Sequence, residues 1–101
     1  MSAPPAPAVP ETTRWERSSE VLWRRTATGV AVLPHDSTTV TALEGLQSAL
    51  WLALVRPMTV DTLVDQLAEH LDDDPAVRHR VVGDAILTLV AEGALRESVE
   101  Q

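Results

Sequence analysis

The side chains in this chain that could do chemistry are few and scattered. Its three histidines, His35, His70 and His79, fall in a turn and on two separate helical stretches. A metal site needs ligands gathered at helical or turn spacing. Only His70 and Asp74 come near that, and a helix break divides them, so the histidines read as solvated surface residues. Asp72-Asp73-Asp74 lacks the glycine and the distal glutamate of a calcium loop and reads as a turn plus a helix cap. The four glycines (Gly29, Gly45, Gly83, Gly93) stand too far apart to cradle a phosphate. The absence of cysteine excludes disulfides, thiolate metal sites and a thiol nucleophile together. Asp36-Ser37 in a small acidic protein invites comparison with the modified serine of an acyl carrier. Such a serine opens a helix, however, and Thr38-Thr39-Val40-Thr41 is a poor helix start. The residues therefore predict no catalytic group, no metal and no cofactor: a binding protein rather than an enzyme.

Charge narrows what it could bind. Fifteen acidic residues against eight basic ones, all of them arginine, give a net charge of −7. That balance opposes a polyanionic partner. No apolar run is long enough to span a bilayer; the longest is Leu50 to Val55. The N-terminus has neither the positive charge nor the apolar stretch of a secretion signal. A cytoplasmic protein with no membrane and no nucleic-acid partner is the expectation.

The elements that must present a binding surface follow from periodicity. With 101 residues, one core and one domain are expected. Residues 1–14, with Pro4, Pro5, Pro7 and Pro10 among alanines, read as a disordered tail, and residues 15–101 as the single folded domain. Three short β-prone runs come first: Val21 to Thr26, Val30 to Leu33, and Thr38 to Ala42, linked by Thr28-Gly29 and by the Pro34-His35-Asp36-Ser37 turn. Short links make them an antiparallel meander. From Leu43 the period becomes helical. Leu46, Leu50, Trp51 and Leu54 share one face of a first helix, which ends before Arg56-Pro57. Thr59 caps a second helix with the stripe Val60, Leu63, Val64, Leu67 and Leu71, opposite Asp61, Asp65 and Glu69. Asp74 caps a third, with Pro75 at its first position and Gly93 at its end, and Val82, Ile86, Leu89 and Val90 facing inward. Leu95 to Val99 could add a closing strand. The fold class is α+β and winged-helix-like, a three-stranded antiparallel meander followed by three helices.

Two surfaces of that arrangement could bind a macromolecule. Arg78, His79 and Arg80 stand where a winged helix carries its recognition helix, which makes a DNA-binding transcription regulator one reading. Asp72, Asp73, Asp74 and Asp84 surround them and would repel phosphates. The third strand is the second surface. As the end of a meander it has an open edge, and Ser37 to Ala42 carries no charge or proline to blunt it. Such an edge is either covered by the protein's own segments or takes a strand from a partner.

The succession Val21-Leu22-Trp23-Arg24, Gly29-Val30-Ala31-Val32-Leu33, Val40-Thr41-Ala42-Leu43-Glu44-Gly45, Ala49-Leu50-Trp51, Thr59-Val60-Asp61-Thr62-Leu63 and Gly93-Ala94-Leu95 resembles the PqqD-like proteins. These are stand-alone precursor-peptide recognition elements of ribosomally made, post-translationally modified peptides. The resemblance spans Val21 to Arg96, and the Leu-x-Gly-x-x-x-Ala-x-Trp run from Leu43 to Trp51 is among its most specific parts. It implies an adaptor that does no chemistry. Such an adaptor takes the leader of a precursor peptide as an added strand and presents it to a modifying enzyme, such as a radical-SAM enzyme or a lasso-peptide protease or cyclase. Carried onto this chain, the binding strand is Thr38, Thr39, Val40, Thr41 and Ala42. The groove wall is the flank of the third helix with Arg78, Val81, Val82 and Ala85, where small Ala85 leaves room and Arg78 meets an acidic leader residue at the rim. The Pro-rich tail is longer than in many relatives.

Overall fold

Alternation sets the first layer of the fold. Val30 and Val32 are buried while Gly29, Ala31 and Leu33 between them are half-buried, so this strand shows one side to the core and the other outward. In the computed structural model, which describes residues 12–98, the strand lies at the centre of a three-stranded antiparallel sheet. The described elements are β1 (Arg14–Arg17), β2 (Leu22–Arg25), β3 (Gly29–Leu33), β4 (Thr41–Glu44), α1 (Leu46–Ala53), β5 (Met58–Thr59), α2 (Val60–Gln66), a 3-10 turn (Ala68–His70), α3 (Pro75–Ala91) and β6 (Leu95–Glu97). Strands β2, β3 and β4 form the expected meander, with Trp23 opposite Val32 and Val30 opposite Leu43. The α+β, winged-helix-like class holds, with two sheets instead of one.

The second sheet, in the order β5-β1-β6, was not expected. Its centre, β1, pairs antiparallel with both neighbours: Trp15 opposes Met58 on one side and Glu97 on the other. Arg14 belongs to β1, so the folded unit starts at least one residue before the predicted boundary at 15. Residues 1–11, and with them most of the predicted tail, lie outside the described residues, as does Val99 at the end of the predicted closing strand.

Helix boundaries differ from expectation for local reasons. Leu43, read as the start of helical periodicity, is fully buried inside β4. The strand-to-helix change comes at Gly45, whose φ of +56° suits a residue without Cβ, and α1 follows. Thr59 caps α2 through its side chain, which accepts from the Thr62 amide at 3.3 Å. Helix α2 is shorter than its apolar stripe: after Leu67 the chain tightens into i→i+3 bonds, His70 N–H to Leu67 O and Leu71 N–H to Ala68 O. Asp74 accepts from the Ala76 amide at 2.9 Å and starts α3 with Pro75.

Both sheets and all three helices close on one core. Trp15, Val30, Val32, Leu43, Leu50, Trp51, Leu63, Val82, Ile86, Leu89 and Leu95 are buried in a single cluster. With no Phe or Tyr in the chain, the aliphatic side chains and two indoles supply this packing. No helix among the described residues is long and apolar enough to cross a membrane.

Candidate peptide-binding edge and sheet face

The edge is built by the turn that precedes it. Between β3 and β4 the Ser37 amide donates to Pro34 O at 3.1 Å, and Asp36 takes the left-handed backbone region at φ +62°. The Ser37 hydroxyl then accepts from the Thr39 amide at 3.1 Å and lies 3.2 Å from Thr39 O. A side chain that satisfies both backbone groups of Thr39 competes with a ladder. The strand therefore begins at Thr41, not at Thr38, and of the predicted binding run only Thr41 and Ala42 are in β4. Thr38, Thr39 and Val40 form an exposed lead-in. Strand β4 is the last of its sheet and pairs with β3 alone among the described residues. Thr41 is half-buried, Ala42 and Glu44 are exposed, and the strand carries one charge, Glu44, which lies beyond the predicted end at Ala42.

The predicted wall on α3 looks different in place. Val82 is fully buried and Ala85 is 8% exposed, so both belong to the core rather than to an open groove floor. Val81, half-buried, is the one apolar member of the four that reaches the surface. Arg78 turns back on its own helix start: its Nε donates to Asp72 O, and Nη2 lies 3.8 Å from Asp73. There it satisfies a carbonyl ahead of α3 instead of standing at a rim. Helix α3 packs chiefly on α2, β6 and α1, and β4 on β3 and α1. Helix α1 is thus the element common to the two halves of the predicted site.

Sequence reasoning passed over the outward face of the meander. Leu22 and Arg24 on β2, Ala31 and Leu33 on β3, and Val40 line a shallow concavity of about 240 Å³. Leu22 is 70% exposed and Val40 60%. The signal was present: once Val30 and Val32 take the core parity, Ala31 and Leu33, with their partners Arg24 and Leu22, must face out.

Behind the sheet, Arg17 joins the two layers. Its guanidinium lies 4.7 Å from the Trp23 ring centre and 5.0 Å from that of Trp51, and donates to Trp51 O from Nε at 3.0 Å and Nη2 at 2.7 Å. Burial lowers its pKa from the ordinary arginine value. Two indole N–H groups, Trp15 Nε1 and Trp51 Nε1, are buried with no hydrogen-bond partner. No group of three or more His, Asp or Glu side chains able to hold a metal occurs among the described residues. In comparisons with protein-family models, curated proteins and solved structures, nothing matches this chain.

Proposed function

We propose that this chain is a peptide-recognition adaptor of the PqqD-like kind, which takes the leader of a precursor peptide as a fourth strand beside β4. In the cytoplasm it then presents that peptide to a modifying enzyme. The observation that carries the reading is the outer edge of β4, unpaired among the described residues and preceded by an exposed lead-in. Main-chain hydrogen bonds to such an edge supply affinity, and side chains at alternate positions supply selectivity. On this reading Thr41, Ala42 and Glu44 meet the added strand, with Thr38, Thr39 and Val40 beside its end. Val81 is the α3 residue left to contact it, while Val82 and Ala85 support it from within. The DNA-binding alternative has less in its favour: net charge is −7, Arg78 is engaged by Asp72 and Asp73, and His79 by Asp61.

Proline substitutions in β4 test the reading. Along an antiparallel edge strand, alternate amides point to the neighbour and to the open side. Of Thr41→Pro and Ala42→Pro, one removes a ladder donor to β3 and destabilises the fold. The other removes an outward donor and leaves stability nearly intact. Calorimetry with a synthetic leader, taken from a small open reading frame adjoining the coding sequence, should show binding abolished by the outward-donor variant. Unchanged leader affinity in that variant would place the peptide elsewhere.

A further inference from the structure

Strand addition at β4 uses the edge of the sheet and leaves its outward face without a role. Exposed apolar residues scattered singly need no explanation, but a cluster does. Two of the five large exposed hydrophobics among the described residues, Leu22 and Val40, border a concavity on this face together with Ala31 and Leu33. Its single charged lining residue is Arg24, which has no ion-pair partner among the described residues. Arg25, next on the strand, lies opposite Val30 and takes the other parity, so this acidic molecule presents a single cation beside an apolar hollow. That combination selects an occupant with an apolar side chain and a nearby carboxylate. A second copy of the chain fits poorly. A two-fold contact across this face would set Arg24 towards its own counterpart and join two molecules of charge −7.

We propose that the outward face of the β2-β3-β4 sheet docks an acidic, apolar segment of a partner protein. One apolar side chain fills the hollow between Leu22, Leu33 and Val40, and a carboxylate within a few residues of it pairs with Arg24. This docking does not depend on strand addition. If both hold, the adaptor has one surface for the peptide and another for the protein that receives it.

A display library of short random peptides, selected on the full chain and counter-selected on the Leu22→Ser/Arg24→Glu double variant, tests the proposal. Circular dichroism checks the fold of that variant. If it does not fold, Ala31→Trp, which fills the hollow from its floor, takes its place. Surviving peptides should pair Leu, Ile or Phe with a neighbouring Asp or Glu. They should bind Arg24→Glu about tenfold or more weakly, weaken on the wild type as salt rises, and keep their affinity for the β4 proline variant that abolishes strand addition. No survivors, survivors without an acidic residue, or indifference to Arg24→Glu would overturn the proposal. Survivors that also fail on the β4 variant would make edge and face one site, which ends the separate docking surface but leaves strand addition standing. A concentration-dependent dimer lost in Leu22→Ser would assign the face to a second copy instead.

Discussion

Arg17 shows how much one side chain can organise in a core poor in aromatics. It comes from β1, stacks against Trp23 of β2 and Trp51 of α1, and holds the Trp51 carbonyl near the end of that helix. The two indoles meet edge to face, with centres 5.9 Å apart and planes at 72°. Burial lowers the arginine pKa, yet the guanidinium stays charged at any ordinary pH. Lysine cannot fork to one carbonyl while stacking on two rings. Arg17→Lys should therefore cost about 1–2 kcal/mol, read as a lower urea midpoint with a change in Trp emission. An unmoved midpoint would show that the stack contributes nothing to stability. His79 offers a contact of smaller size. Its Nδ1 lies 3.0 Å from Pro75 O and its Nε2 2.6 Å from Asp61 Oδ1, and only the imidazolium can donate to both oxygens at once. The contact ties α3 to the first turn of α2, and being exposed it contributes about 0.2–1 kcal/mol. His79→Ala should lower the urea midpoint by an amount within that range; an unmoved midpoint would show that the contact adds nothing to stability.

Among the elements, β4 carries the proposed binding edge, and its place depends on Gly29. A Cβ on Gly29 would stand 2.1 Å from Leu43 O, a backbone atom of β4 that cannot move without moving the strand. Gly29→Ala should open this end of the β3-β4 ladder at a cost of about 1–3 kcal/mol. It should also speed amide hydrogen exchange across Thr41 to Glu44 and weaken leader binding in step. Protected amides in the variant would show that β4 yields without losing its pairing. Elsewhere the same sheet carries its own protection. The exposed edge strand β2 ends in Arg24-Arg25, charges that blunt edge-to-edge association, whereas β4 has only Glu44 at its end.

At the scale of the whole molecule, one core joins both sheets and all the helices. Trp15 at the start of the fold and Leu95 near its end belong to the same buried cluster as Leu50, Trp51 and Ile86, so no part can melt alone without exposing the others. Ala85 tests how closed that core is. At 8% exposure it has no open groove above it to take a larger ring. Ala85→Trp should cost about 1–3 kcal/mol by overpacking, lowering the melting temperature by roughly 4–8 °C for each kcal/mol in a domain of this size. Trp fluorescence and far-UV circular dichroism should follow one transition. An unchanged melting temperature with leader binding blocked would instead place Ala85 on the wall of a groove.

The sequence by itself determined what repeats along the chain. The capped helices α2 and α3 and the meander as a whole were legible because local periodicity and capping chemistry lie within a few residues of one another. It also determined the charge and the absence of cysteine. Tertiary structure alone decided the β5-β1-β6 sheet. Its strands are two to four residues long, too short to show a period, and Trp15 pairs with Met58 and Glu97, both distant in the chain. The start of β4 turned on a hydroxyl: Ser37 binds both backbone groups of Thr39, a competition that β-propensity does not register. Val82 faced the core as the wheel predicted, but Ala85 was read as open because a helical wheel gives the direction of a side chain and not what covers it. Its burial, and the turning of Arg78 to Asp72 and Asp73, depend on which neighbours fold back against α3, and that information is spread over the whole molecule.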